Sequence, residues 1–255
     1  MITPKDRERL SKTSRSAVEA AMLRHIDRYN NILYGIQISK DLFSFDYRKI
    51  KDRVDKLTEL IENELYNIIL NGGLYNIDNE EDEGDIYIFM NRDRDGNTLS
   101  SFIKEYVGVF NSEIEAYIES SLYFGISVSE GLGKLKAGLK NAYSTDFIKE
   151  AYDKIEKPNS PILKAKGMTV KKGEYKTSLA NLKRLAWFTV IEALTYRQVQ
   201  SFVREGAVGY SVHRGSSYPC EYCDSFLGEY SFDDLRAMPP QHGSCYCYIL
   251  PVYEF

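Results

Sequence analysis

The four cysteines of this chain are confined to one short segment near its C-terminal end, between Cys220 and Cys247. A Cys-x2-Cys turn at Cys220 and Cys223 is followed, after eighteen intervening residues, by His242, Cys245 and Cys247. In a chain without a secretory signal, cysteines clustered in this way more often bind metal than form disulfides. The segment is therefore expected to fold around a metal ion; the other interpretation is four buried thiols beside a surface histidine.

The ligand spacing predicts a structural zinc site. A Cys-x2-Cys turn presents two thiolates on one side of a tight loop, and His242-x2-Cys245 supplies a second pair from another loop. Zinc requires four such N and S ligands at tetrahedral corners. The matching spacings favour Cys220, Cys223, His242 and Cys245, with Cys247 as the alternative ligand. A four-cysteine site that leaves His242 outside the ligand set stays open.

A catalytic metal site is not expected. An open zinc would need three protein ligands and a general base beside its bound water. Glu221 and Asp224 flank the first turn, but charged residues in such turns are usually solvated. The chain also contains no GxSxG, Walker or HExxH motif, so we predict that it is not an enzyme.

Composition excludes several broad classes of protein. Apolar residues make up 43% of the 255 residues and the formal net charge is −4, which argues against a disordered chain and a generic polyanion binder. No run of 18 apolar residues occurs, and the start of the sequence has no apolar signal region. We therefore expect synthesis in the cytoplasm and no membrane partner.

The apolar periodicity predicts a mainly α fold. The expected architecture is a helical N-terminal body plus a small α+β C-terminal module, whose short strands are stapled by the Cys/His metal site. Thr3 is expected to cap the first helix, with Pro4 at its first position, and Asn71-Gly72-Gly73 to end the second. The predicted helices beyond the first span about 46–70, 99–124, 129–142, 145–156 and 174–205, and the predicted strands 210–213, 229–232 and 246–252.

Composition also predicts the domain organisation. Residues 1–157 form a helical region, 158–173 a basic linker, and 174–255 the long helix with the Cys/His module. The linker contains two prolines, two glycines and four lysines, namely Lys164, Lys166, Lys171 and Lys172. A solvated run of charge is the more common interpretation of such lysines; a contact with DNA or an acidic partner is the other.

The order of motifs in the C-terminal half resembles a known family. Cys220-x-x-Cys223 with Gly228 is followed by Pro239-Pro240-x-His242, then by Cys245-x-Cys247 and an apolar strand closing at Pro251. Residues 114–251 resemble the phage Mu F-like family of head-morphogenesis, or minor head, proteins. Tyr246 departs from that pattern, because the family commonly has an arginine between its last two cysteines. Gly243 and Ser244 also replace the usual proline and asparagine.

The resemblance implies a function in particle assembly. A member of this family would act as a minor head protein in capsid assembly near the portal, located in the virion. It would contact the portal protein, the major capsid protein, or both, with phage DNA as a further partner through the linker lysines. The alternative function is that of a cytosolic nucleic-acid-binding protein built on a zinc module.

Overall fold

The computed structural model describes residues 3–33, 51–73, 96–139, 146–154, 177–215, 219–242 and 245–254. Most of them are helical, and a small antiparallel sheet lies near the C-terminal end, which confirms the predicted fold class. The helices are α1 Pro4–Leu33, α2 Lys51–Gly73, α3 Leu99–Phe124, α4 Val128–Gly138, α5 Asp146–Lys154, α6 Ser178–Arg204 and the single turn α7 Glu221–Asp224. The strands are β1 Gly209–His213, β2 Gly228–Ser231 and β3 Tyr248–Val252, with a 3-10 turn at Leu235–Ala237.

The sheet has the order β2-β1-β3, with both neighbours antiparallel to β1. Tyr210 of β1 lies opposite Tyr230 on one side and Pro251 on the other. None of the described helices is long and apolar enough to cross a membrane.

Helix ends follow the local chemistry of the sequence. Thr3 caps α1 as predicted, because its hydroxyl accepts from the Asp6 amide at 3.2 Å while the Asp6 carboxylate accepts from the Thr3 hydroxyl at 2.6 Å. Thr98 and Ser101 form a reciprocal capping box at the start of α3. Gly125 ends α3 with φ of 67°, a left-handed conformation that glycine adopts without steric cost.

Contacts between residues divide the chain into two compact units. Unit 1 comprises Met1–Ala17, Asn67–Arg92 and Lys183–Phe255, and unit 2 comprises Val18–Tyr66 and Asp93–Leu182. Each unit is therefore built from separate stretches of the chain. The predicted basic linker 158–173 lies outside the described residues, so the division into 1–157 and 174–255 stays a prediction.

Unit 2 has a helical core with buried polar groups at its helix ends. Glu113 on α3 is fully buried, and its carboxylate accepts from the Ser178 amide at 2.9 Å and from the Ser178 hydroxyl at 2.7 Å. These bonds satisfy donors at the start of α6 that have no partner within the helix. On α2, Ile69 is buried and Ile68 is half-buried. The apolar core of this unit includes Val18, Met22, Ile26, Val54, Ile61, Leu65, Ile103, Phe110 and Ile114.

Unit 1 packs the C-terminal part of α6 against the sheet and the cysteine segment. Its core cluster combines residues of α6 and of the strands with three of the cysteines. The cysteines therefore belong to the core itself and are not placed in an exposed loop. The cluster includes Trp187, Val190, Ile191, Leu194, Phe202, Tyr210, Val212, Cys223, Met238, Cys245, Cys247 and Ile249.

The described part of α2 ends at Gly73, within the predicted Asn71-Gly72-Gly73 segment, so the helix extends past the predicted last residue Leu70. A Cβ atom on Gly72 would lie 2.1 Å from the Ser14 hydroxyl and 2.9 Å from a Val190 methyl group. Gly72 therefore allows α1, α2 and α6 to approach one another within unit 1. Gly72 is therefore needed for the packing of these helices.

We expect Gly72→Ala to lower the free energy of unfolding by about 1–2 kcal/mol. Overpacking a buried contact costs about 1–3 kcal/mol, which outweighs the gain of about 0.5–1 kcal/mol from replacing a helical glycine. Gly108→Ala in α3 is the matched control, because a Cβ there meets nothing within 4 Å, and it should be stabilising. Urea unfolding compares the two variants; equal stability would contradict the packing role of Gly72.

Candidate metal centre

Both halves of the Cys/His motif fold into tight turns. The Cys220 sulfur accepts from the Cys223 amide at 3.5 Å, and the Cys220 carbonyl accepts from the Asp224 amide at 2.9 Å, which starts the single turn α7. The His242 carbonyl accepts from the Cys245 amide at 3.1 Å. Each x2 spacing therefore closes a turn that brings its first and last residues to the same side.

The distances between donor atoms suit a shared ion. Ligands at the corners of a zinc tetrahedron lie about 3.7 Å apart for two sulfurs and about 3.5 Å for sulfur and nitrogen. Cys223 Sγ lies 3.7 Å from Cys245 Sγ, and Cys220 Sγ lies 3.4 Å from His242 Nε2. The 2.9 Å separation of Cys223 Sγ and His242 Nε2 is shorter, so this pair would separate by about half an ångström on sharing an ion.

All five predicted ligand candidates come together in two overlapping triads. Cys220, Cys223 and His242 form one, while Cys223, Cys245 and Cys247 form the other. Cys223 belongs to both and lies at the centre of the cluster. The cluster can hold a metal ion, but these distances do not choose between the set Cys220, Cys223, His242 and Cys245 and the four-cysteine alternative.

Burial and hydrogen bonding set the protonation of the metal-free thiols. The pKa of Cys245 is lowered to about 5 because its sulfur is hydrogen-bonded by Cys247, and the same bond raises the pKa of Cys247. Burial raises the pKa of Cys223 to about 12, whereas the Cys223 amide lowers the pKa of Cys220. The buried thiols of Cys223 and Cys247 thus hold protons that a cation would displace.

The residues beside the cluster have other partners. Asp224 forms an ion pair with Arg214, and Glu221 is exposed. His213, the remaining histidine of the module, hydrogen-bonds to the Ser211 hydroxyl at 2.8 Å and stacks on Tyr248. The Asp224 carboxylate is therefore engaged by a cation, whereas the Glu221 side chain lies in solvent.

Aromatic packing fixes the loop that carries the last two cysteines. Tyr246, at the position where the resembled family commonly has arginine, packs edge-on against Trp187 of α6 at 5.6 Å between ring centroids. Gly215 approaches this loop so closely that a Cβ atom would lie 1.7 Å from the Tyr246 carbonyl oxygen. The side chains of Cys245 and Cys247 consequently point into the core, where both are buried.

Sequence reasoning missed one residue at this loop. Arg7, in the first turns of α1, donates to the Cys247 carbonyl at 3.1 Å and to the Gln198 side chain. Its guanidinium is fully buried beside the cysteine cluster. A single arginine 240 positions away in the sequence carries no motif that could have indicated this contact. The predicted DNA-contacting lysines, Lys164, Lys166, Lys171 and Lys172, lie outside the described residues.

Comparison of the chain with family models, curated proteins and solved structures finds no match.

Proposed function

We propose that this chain is a phage minor head protein, that it acts in capsid assembly near the portal, and that its C-terminal module is stabilised by structural Zn²⁺. The order of the cysteine, histidine and proline motifs supports the family resemblance. The observation that carries the zinc role is the burial of Cys223, Cys245 and Cys247 within the core of unit 1. Ligands enclosed in a core suit an ion that holds the fold together, since a catalytic zinc needs an open coordination position.

Zinc is the ion that this donor set fits best. Thiolates with one imidazole in tetrahedral spacing favour zinc over the oxygen-binding cations calcium and magnesium. The described strands have four or five residues each, so the sheet contributes little stability by itself. A bound ion would therefore supply much of the folding free energy of the module.

A protein partner suits the module better than nucleic acid does. Glu221 on α7, Glu229 on β2 and Asp233 in the following turn are all exposed and acidic. Such charges repel a phosphate backbone. Tyr222 and Leu227 are exposed apolar side chains in the same region and fit a contact with the portal or the major capsid protein.

The assembly role predicts that the protein is found in virions or in head intermediates, and that deleting its gene yields defective or aberrant heads. A portal gene directly upstream is the first expected observation. Pull-down from infected cells should recover the portal or the major capsid protein, and mass spectrometry of purified virions should detect this chain. Complementation with Arg9→Met should restore normal heads, because that side chain is 72% exposed and lies outside both the ligand set and the proposed contact surface.

Absence from virions and from assembly intermediates, together with normal heads in the deletion, would rule out the assembly role. The alternative is then the cytosolic nucleic-acid-binding protein. That function would require DNA or RNA affinity that falls steeply with salt, as expected for contacts between lysines and phosphates.

A further inference from the structure

Arg7 is a buried cation held mainly by neutral acceptors. It has no exposed surface, and its guanidinium donates through Nη1 to the Cys247 carbonyl and through Nη2 to the Gln198 amide oxygen. Its Nε has no hydrogen-bond partner among the described residues. An unpaired buried charge is strongly destabilising, so this arrangement favours a compensating negative charge nearby.

The cysteines are the groups that can supply this charge, because Arg7 donates to the backbone carbonyl of Cys247 at 3.1 Å. Burial lowers the pKa of Arg7 to about 10, and a thiolate at Cys245 acts in the opposite direction. Cys245 and Cys247 both belong to the triad that shares Cys223. No ion pair joins Arg7 to a carboxylate of the described residues.

A zinc-loaded centre would carry the negative charge that compensates the guanidinium of Arg7. Three thiolates and a neutral imidazole around a divalent ion leave one net negative charge, and four thiolates leave two. One guanidinium therefore neutralises the three-cysteine, one-histidine centre completely. It neutralises only half the charge of a four-cysteine centre.

Apart from the close approach of Ser14 to Gly72, few apolar side chains attach the start of α1 to unit 1. Among the described side chains of residues 3–17, the buried ones are Arg7, Ser11 and Ser14, all of them polar. Leu10 adds only partial burial against the core cluster. Apolar burial is the usual source of such attachment, and it is small here. The contacts of Arg7 therefore contribute an unusually large part of the attachment of α1 to unit 1.

We infer that Arg7 is the counter-charge of the metal centre and that metal binding thereby docks the first turns of α1 onto the C-terminal module. This inference rests on the proposed zinc site and extends it to a positioning residue far away in the sequence. Loss of the ion would release the turn that carries Cys245 and Cys247, and with it the carbonyl that accepts from Arg7, so the first turns of α1 should loosen together with the cluster.

The test compares Arg7→Met, Arg7→Lys and the control Arg9→Met in the full-length chain. Arg9 lies on the same helix with its side chain 72% exposed. Zinc affinity is measured by competition with a chromophoric chelator, and stability by urea unfolding with and without zinc. Outer-shell partners of metal ligands typically contribute about 10- to 100-fold in affinity, so Arg7→Met should weaken zinc binding by that factor. The zinc affinity of Arg7→Lys should lie between those of Arg7→Met and the wild type. The zinc affinity of Arg9→Met should equal that of the wild type.

Two readouts separate a counter-charge from an ordinary packing residue. Arg7→Met should destabilise the zinc-loaded chain and leave the chelated chain as stable as the wild type or more so, whereas a packing role would lower the stability of both forms equally. In the wild type, chelation should increase hydrogen exchange at the amides of residues 5–17. This second readout needs no variant and decides the question even if Arg7→Met does not fold.

This inference would be overturned if Arg7→Met bound zinc as tightly as the wild type, or if chelation left hydrogen exchange at residues 5–17 unchanged. Neither result would contradict the zinc site itself. A wild-type chain that binds no zinc would overturn both the inference and the proposed metal.

Discussion

Cys223→Ser is expected to release bound zinc and to unfold the C-terminal module while most of the helical signal remains. Cys223 is the one residue common to both triads of the cluster, so every plausible ligand set loses a member. Zinc binding contributes on the order of 10 kcal/mol to small zinc modules, comparable with the whole stability of a typical domain. The helices of unit 2 do not depend on this cluster, and their circular dichroism should persist.

Three measurements report this loss. Elemental analysis should find close to one zinc per wild-type chain and little in Cys223→Ser. Trp187, the only tryptophan, is buried and packs against Tyr246, which lies between the last two cysteines. The fluorescence of Trp187 should therefore shift to the red in Cys223→Ser. Glu221→Gln, in the same helical turn but exposed, is the control and should retain both zinc and emission. Full zinc content in Cys223→Ser would contradict the proposed centre.

The same assay identifies the fourth ligand. With Cys220, Cys223, His242 and Cys245 as ligands, His242→Ala should release zinc and Cys247→Ser should retain it. The reverse result would establish the four-cysteine site. The neutrality argument for Arg7 favours the first outcome, because one guanidinium balances one net negative charge.

The stability of unit 2 is expected to fall by about 3 kcal/mol between pH 6.5 and pH 4 because His25 is buried in its neutral form. Burial lowers the pKa of His25 to about 4, against 6.5 in an unfolded chain, and its hydrogen bond to Asn111 only partly opposes this effect. Above pH 6.5 both states are neutral and stability is constant. Below it the unfolded chain takes up a proton that the folded chain does not, which favours unfolding until the pH reaches the folded pKa.

A hydrogen-bond chain holds His25 in one tautomer. His25 Nε2 lies 3.0 Å from Asn111 Oδ1, Asn111 Nδ2 donates to the Thr58 hydroxyl at 2.8 Å, and that hydroxyl donates to the Val54 carbonyl at 2.9 Å. Asn111 therefore presents its oxygen to the ring, and Nε2 carries the proton. Nδ1 has no hydrogen-bond partner among the described residues, so a second proton there would be buried without an acceptor.

His25→Gln provides the comparison, because its amide can still donate to Asn111 but does not titrate. Urea unfolding followed by circular dichroism at pH 7, 5.5 and 4 should show a steeper loss of stability in the wild type. Acid also protonates metal ligands, so the difference between the two chains is the quantity to compare. If the unfolding free energies of the wild type and His25→Gln changed with pH in parallel, His25 would not be buried in its neutral form.

Local patterns in the sequence predicted most of the elements. Thr3 caps α1, α3 spans the predicted residues 99–124 with Gly125 at its end, and each described strand lies within two residues of its predicted bounds. These features depend on capping groups, on the periodic spacing of apolar residues and on the conformational freedom of glycine, all of which act over a few neighbouring residues. The five metal-ligand candidates were predicted for the same reason, since a Cys-x2-Cys spacing already specifies a turn.

Gly72 and Arg7 show what the sequence could not provide. Beside Gly73, Gly72 has the pattern of a helix end, yet its role depends on Ser14 and Val190, which approach it only in the folded chain. Arg7 has the pattern of a surface residue in a polar helical turn, yet the fold buries its guanidinium beside Cys247.

The sequence by itself therefore determined the helices, the strands and the composition of the Cys/His cluster, because each depends on short-range stereochemistry. Only the tertiary structure decided that Cys223 links two triads, that the cluster is part of a core, and that the first turns of α1 bring a charge to it. Packing and electrostatic compensation join residues that are distant in the chain, and no local pattern encodes which of them meet.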